Sequence, residues 1–283
     1  MKKSRVFMLA LGVPLFYLAL QLASMISFSV YYAIVAMFDD RDIEATMFSV
    51  VVPVSVMACA VFIIAFIVSY HKKPYSAWKA VGLSSRMPGG IAGMSAAAGF
   101  FFNVMCIGVL SLVPIPESWN SAHDITTEAL FGGGLILSLL FTVLLAPLVE
   151  EIVFRGFTYR YFEKIMPAWG AAIASAAVFG LIHFNWLQSL YAFTLGIALA
   201  FIYSWTKNLR SSVLFHIAFN GANFVISPVL IMIYGEDIEE LPAFGASVMV
   251  IAGSIAAFYC MMYLYKNRAA ADSGVEPGSP AED

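Results

Sequence analysis

Charged side chains are scarce in this chain: Asp, Glu, Lys and Arg make up 12% of its 283 residues, and hydrophobic residues make up 61%. A soluble globular domain carries about 25% charged residues, so the composition excludes an ordinary soluble protein. Cysteine is scarce too, and its three copies lie in apolar stretches without C-x-x-C spacing, which predicts packing roles. The net charge of −3 says little about partners, and no nucleic-acid partner is expected.

Apolar runs, in contrast, recur along the whole chain. Each is about 20 residues or longer, the length that crosses a hydrocarbon core of about 30 Å. The sequence therefore predicts an all-α, polytopic membrane bundle of about eight transmembrane helices, with the lipid bilayer as its surroundings. The predicted spans are Val6–Phe38, Met47–Tyr70, Gly89–Val113, Leu130–Phe154, Pro167–His183, Gln188–Trp205, Ser212–Tyr234 and Phe244–Tyr265.

Basic residues between these runs alternate with acidic ones. Because cytoplasmic loops collect Lys and Arg, the alternation predicts that both termini are cytoplasmic. The first run is too long for a signal peptide and lacks a cleavage site, so we expect a retained helix. Residues 1–268 are predicted to form one transmembrane domain with its motifs at about 130–228, and the polar residues 269–283 a disordered cytoplasmic tail.

Two adjacent glutamates lie near the end of the fourth run, where ionisable groups indicate function by default. Successive residues of a helix point about 100° apart, so Glu150 and Glu151 face different directions and serve different purposes. Glu151 and Arg155 are four residues apart and can form an ion pair, which leaves Glu150 as the candidate base. The alternative is a structural Glu–Arg pair at the membrane interface.

Two histidines also lie in apolar runs. His183 follows Phe179 by one helical turn, and His216 precedes Asn220 by one turn, with Asn223 extending that stripe. A stripe of an imidazole and amides on one helix face is typical of a polar cavity, and the alternative is a hydrogen-bonded contact between helices. For His183 taken alone, the alternative is a histidine hydrogen-bonded within a packed bundle.

The depths of these residues set a requirement on the fold. His216 follows the basic loop at 207–210 by about six residues, or ~9 Å at 1.5 Å per residue, and Glu150 precedes Arg155 by a similar distance. His183 reaches the same level only if residues around Pro167 turn a hairpin that projects into the cytoplasm.

Three motifs follow one another on successive helices: E-E-x-x-x-R from Glu150, F-x-x-x-H ending at His183, and H-x-x-x-N from His216. In this order they resemble the CPBP family of intramembrane proteases, which includes type II CAAX prenyl endopeptidases and the bacteriocin-processing and abortive-infection proteins of bacteria. The resemblance covers about Leu130 to Pro228, and the remaining helices match only in kind.

The resemblance implies an endopeptidase that cuts membrane peptides or lipidated proteins. Glu150 and His183 would activate a water molecule, and His216 with Asn220 would stabilise the oxyanion, roles that suit these groups chemically. Glu151 and Arg155 would support the site. No Asp lies in any predicted span and no G-x-S-x-G motif is present, so aspartyl and serine chemistries are not favoured.

The metal requirement has two readings. Family members are commonly labelled metalloproteases, and a glutamate with two histidines could hold zinc. The H-E-x-x-H signature is absent, however, and a mechanism with Glu150 as the base requires no cofactor.

Two other functions stay open at this point. A proton-coupled transporter could use Glu150, His183 and His216 as a relay, although inverted repeats are not visible in the sequence. A catalytically silent immunity or partner protein could keep the same fold. Chain size and loop pattern predict a multi-pass protein of a bacterial plasma membrane. Peptide pheromones, bacteriocin leaders and other small membrane peptides are all open as substrates.

Overall fold

The computed structural model describes residues 3–36, 43–70, 77–83, 86–131, 134–235 and 241–268. Helices are the only regular secondary structure within these ranges, which confirms the predicted all-α bundle. They are α1 Lys3–Ala36, α2 Ile43–Tyr70, α3 Ala77–Ala80, α4 Gly89–Leu112, α5 Glu117–Phe131, α6 Leu135–Phe162, α7 Ala168–Leu181, α8 Trp186–Thr206, α9 Leu209–Tyr234 and α10 Ala243–Lys266. The predicted tail at 269–283 lies outside the described residues.

Seven of the described helices contain stretches long and apolar enough to cross a membrane: α1, α2, α4, α6, α8, α9 and α10. The predicted span Pro167–His183 is instead the 14-residue helix α7. Its length of ~21 Å at 1.5 Å per residue falls short of a ~30 Å core. The apolar run in the sequence is longer than the helix, because Pro167 precedes the helix and a turn follows Leu181. The orientation of the termini stays a prediction.

The chain divides into two compact units, one formed by Met1–Val81 with Glu117–Ile197 and the other by Gly82–Pro116 with Ala198–Asp283. The first holds α6, α7 and most of α8, and the second holds α4, α9 and α10. The prediction that residues 1–268 form one domain stays a prediction.

Helix α6 departs from regular α-helical geometry in the first unit. It contains π-helical segments at Leu140–Leu145 and Ile152–Tyr159, on either side of the α-helical stretch Ala146–Glu151. Pro147 accounts for the first, because proline has no N–H to donate and its ring collides with the carbonyl four residues earlier in a regular helix. A wider π turn removes that collision. The two glutamates therefore lie between two distorted segments, a feature common at functional sites.

In the second unit, α4 and α9 run side by side in the same direction. The amide of Asn208 donates to the carbonyl of Arg86 at 3.3 Å, and the Nε of Arg210 donates to the carbonyl of Leu83 at 2.6 Å. These bonds join the starts of the two helices. A shared direction agrees with the predicted topology, in which both helices follow basic loops.

Helix α10 packs against α4 in the opposite direction. Gly108 of α4 lies against Ala246 of α10, and Gly253 of α10 lies against Met105 of α4, so closely that an added Cβ would come within 2.6 Å of a backbone atom at either glycine. Small residues allow such close approach of helix backbones in membranes. These contacts give the second unit its tight core.

Candidate active site

The predicted ion pair between Glu151 and Arg155 is present. Nη1 of Arg155 donates to Oε1 of Glu151 at 2.7 Å, and both side chains are fully buried. Nη2 of Arg155 donates to the carbonyl of Gly196 in α8 at 3.0 Å, and the guanidinium carbon lies 4.8 Å from the ring centre of Phe179. The charge of Glu151 is thus compensated inside the protein by a guanidinium with several partners of its own.

Glu150 has different surroundings from its neighbour. Its residue is half-buried, whereas Glu151 is fully buried, as expected for neighbouring helical residues that point in different directions. The charge of Glu150 interacts with that of Arg155, so the guanidinium acts on both acids. Glu151 makes the direct ion pair, and Glu150 is the carboxylate with the greater exposure.

His183 lies in the short turn after α7. Its Nδ1 is 2.8 Å from the carbonyl oxygen of Phe179, and because a carbonyl can only accept, we assign the proton to Nδ1. In the neutral ring Nε2 is then the acceptor. The ring meets Phe179 edge-on, with centroids 5.0 Å apart. The side chain of Asn185 accepts from the backbone N–H of Gln188 at 2.9 Å, which caps α8 and ends the turn.

Helices α6 and α7 form the hairpin that the depth argument requires. The rings of Phe154 and Phe179 meet with centroids 4.9 Å apart, and the hydroxyl of Ser175 donates to the carbonyl of Phe154 at 3.5 Å. Glu150 precedes Phe154 by four residues, and His183 follows Phe179 by four, or ~6 Å along each antiparallel helix. The two residues therefore lie at the same level of the hairpin. That the hairpin projects into the cytoplasm stays a prediction.

His216 and Asn220 lie on α9 in the second unit. His216 is buried with 2% of its surface exposed, and Asn220 is half-buried. Because α9 is α-helical through this region, residues four apart lie on one face. The predicted stripe of imidazole and amide is therefore present on this helix.

The third member of that stripe has a different explanation. Asn223 accepts a hydrogen bond at 3.2 Å from the side-chain amide of Asn103 in α4, so this part of the stripe is a contact between helices. Sequence reasoning missed Asn103, a buried amide in the third apolar run. A lone amide within that run was the available signal.

The predicted residues are divided between the units. Glu150, Glu151, Arg155 and His183 belong to the first, and His216 and Asn220 belong to the second. Across the described ranges, no group of three or more His, Cys, Asp or Glu side chains is placed to hold a metal ion. The metal requirement and the catalytic role of each residue stay predictions.

Comparison with known proteins agrees with the motifs. Residues 132–222 match the family model described as "Type II CAAX prenyl endopeptidase Rce1-like", a segment that includes all of the predicted site residues. A protein of Bacillus subtilis (strain 168) named "Putative membrane peptidase YdiL" is 23% identical over 133 residues, or 46% of this chain and 54% of that protein.

The chain thus spans about half the length of this curated relative. No solved structure matches the chain. The ordered motifs, the apolar helices and the family match agree with one another. The chain is a multi-pass membrane protein whose residues 132–222 are similar to the Rce1-like type II CAAX prenyl endopeptidases, in agreement with its resemblance to the CPBP family of intramembrane proteases.

Proposed function

We propose that this protein is an intramembrane endopeptidase that hydrolyses peptide bonds in membrane-associated or lipidated peptides and proteins. The observation that carries the proposal is the α6–α7 hairpin, in which Glu150 and His183 lie at the same level. In the same hairpin, Arg155 compensates the charge of Glu151 at 2.7 Å. Glu151 thus has a structural role, and the more exposed Glu150 is the candidate catalytic residue.

In the proposed mechanism, Glu150 and His183 remove a proton from a water molecule as its oxygen attacks the scissile carbonyl. The C–N bond then breaks, and the same proton passes to the departing amine. The hydrogen bond from Nδ1 of His183 to the carbonyl of Phe179 supports this role, because it directs the basic nitrogen, Nε2, away from the backbone. General base catalysis of this kind contributes about 10²- to 10⁴-fold.

His216 and Asn220 are proposed to donate hydrogen bonds to the oxyanion that forms during the attack. An imidazole N–H and a carboxamide N–H are both suitable donors, and their shared face on α9 supports this assignment. Loss of a single oxyanion donor typically lowers kcat by about 10²- to 10³-fold.

A divalent metal such as zinc would supply Lewis-acid activation of water. The proposed mechanism uses Glu150 as the base, so none of its steps requires a metal. The proposed location is a bacterial plasma membrane, with cleavage from the cytoplasmic side. The substrate class is small membrane peptides or lipidated peptides, held near the α6–α7 hairpin.

The proposal can be tested by purifying the protein in detergent and measuring cleavage of lipidated and membrane-inserted peptides. We expect Glu150→Ala to reduce cleavage at least ~100-fold, as loss of a general base does. Glu163→Ala is the matched control, because Glu163 follows the same helix in the hairpin turn, and it should retain activity. Full activity in Glu150→Ala would contradict the mechanism.

Two further measurements address the alternatives. Loss of wild-type cleavage on adding a chelator, with recovery on adding zinc, would establish a metal-dependent reaction in place of the proposed one. Proton flux into liposomes that disappears in Glu150→Ala, without any peptide cleavage by the wild type, would favour a transporter.

A further inference from the structure

A polar cluster lies in the first unit outside the residues of the three motifs. The side-chain amide of Gln21 donates to the hydroxyl of Tyr17 at 2.9 Å, and that hydroxyl lies 3.9 Å from the sulfur of Cys59. Tyr17 is 4% exposed and Cys59 is fully buried. Buried polar groups within membrane helices are costly and are therefore a functional hypothesis by default. The cluster also lies outside the segment that matches the family.

The packing of α2 against α6 sets the level of Cys59. The rings of Phe66 and Phe157 meet with centroids 5.8 Å apart. Cys59 precedes Phe66 by seven residues and Glu150 precedes Phe157 by seven, or ~10 Å along each helix. Two ring contacts of α1, with Phe162 of α6 and with Phe62 of α2, are compatible with this one only if α2 and α6 run in the same direction. Cys59 and Glu150 therefore lie at the same level.

The same contacts of α1 set the level of Tyr17. Phe7 of α1 meets Phe162 of α6 with ring centroids 6.0 Å apart, and the ring of Tyr17 meets Phe62 of α2 at 5.6 Å. Helix α1 therefore runs opposite to α2 and α6. Ten residues from Phe7 to Tyr17 correspond to ~15 Å, which reaches the part of α6 that carries Glu150.

Electrostatics agree with this placement. The charge of Glu150 interacts with both Tyr17 and Cys59. Since the hydroxyl oxygen of Tyr17 accepts from Gln21, its single proton is available to a further acceptor. A sulfur at 3.9 Å is a weak acceptor, whereas hydrogen bonds to a carboxylate are about twice as strong as neutral ones.

We propose that Tyr17 is a positioning residue for Glu150, whose hydroxyl, oriented by Gln21, donates toward the Glu150 carboxylate and stabilises it as the anionic base. The inference rests on the proposed function of Glu150. It adds the first helix to the site, although α1 lies outside the family match at residues 132–222.

Tyr17→Phe tests the inference because it removes only the hydroxyl oxygen. We expect kcat for peptide cleavage to fall about tenfold, in line with loss of a hydrogen bond to a charged group, with KM unchanged. Tyr31→Phe is the matched control, since Tyr31 is a tyrosine of the same helix with 57% exposure. It should change kcat less than about twofold, as most exposed substitutions do. A fall in kcat equal to that of Tyr31→Phe would overturn the inference.

A double-mutant cycle in thermal unfolding separates this inference from the proposed function. Tyr17→Phe should lower the Tm of the wild type and leave the Tm of Glu150→Gln almost unchanged, because residues in contact are coupled. Equal shifts in the two backgrounds would overturn the role of Tyr17. Absence of cleavage by the wild-type protein would overturn the proposed function instead, while the cycle still decides whether Tyr17 and Glu150 interact.

Discussion

In the first unit, Glu151 and Arg155 are fully buried charges that compensate each other, whereas in the second unit Asn103 and Asn223 form one hydrogen bond between uncharged amides. The guanidinium also uses the carbonyl of Gly196 and the ring of Phe179. The amide pair uses two side chains alone. The buried guanidinium thus has partners in α6, α7 and α8, whereas the buried amide of Asn103 has a single interhelical hydrogen bond.

The backbones differ in the same way. The charged pair lies where α6 changes between α- and π-helical geometry, while the amides lie on helices that pack at close range through glycine. Breaking a buried ion pair costs about 3–5 kcal/mol, and an interhelical hydrogen bond in a membrane protein averages about 0.6 kcal/mol. The first unit should thus be the more sensitive to loss of a single polar group.

Arg155→Met should produce the largest effect, because it leaves the Glu151 carboxylate buried without its cation. We expect a loss of about 3–5 kcal/mol in the free energy of unfolding, measured by denaturant titration in detergent with tryptophan fluorescence. Arg160→Met is the control, since Arg160 lies on the same helix and is exposed. Glu151→Gln should restore part of the loss in the Arg155→Met background. Equal stability of the two arginine variants would contradict the comparison.

Gly99→Ala should have an intermediate effect in the second unit. The added Cβ would collide with the backbone carbonyl of Phe215 in α9, and overpacking of this kind costs about 1–3 kcal/mol. Gly93→Ala is the matched control on the same helix, where an added Cβ meets nothing within 4 Å. It should be neutral or stabilising by up to about 1 kcal/mol, given the helix propensity of alanine. Similar destabilisation by both would show that close packing is not the cause.

Asn103→Leu should have the smallest effect. It removes a hydrogen bond of about 0.6 kcal/mol, and it also removes the side-chain oxygen, which has no partner within the described part of the chain. We expect the free energy of unfolding to fall by less than about 1 kcal/mol, because the second change offsets the first. A loss above about 2 kcal/mol would show that this amide supports more than one interhelical bond.

Much of the fold could be predicted because each membrane helix corresponds to a long apolar run in the sequence. The Glu151–Arg155 pair could also be predicted, since four-residue spacing on a helix fixes which side chains meet. The short length of α7 could not, because an apolar run does not show where a turn begins. Pro147 was a visible signal for the distortion of α6, but proline alone does not show which turn widens.

Partners from distant parts of the chain were also beyond the sequence. The carbonyl of Gly196 has no side chain to mark it as the acceptor for Arg155, and the amide partner of Asn223 lies 120 positions earlier. Tyr17 lies in a helix that resembles any apolar span. Such contacts depend on which helices pack together, and this information is absent from the local pattern.

The number of residues in the π-helical segment Leu140–Leu145 affects the direction of the glutamates that follow it. A π turn holds one residue more than an α turn, and each residue rotates the helix by about 100°. Deleting one residue from this segment would therefore turn Glu150 and Glu151 by about a quarter of a revolution relative to the start of α6. Such a deletion would leave both glutamates in the sequence but change the directions in which their side chains point.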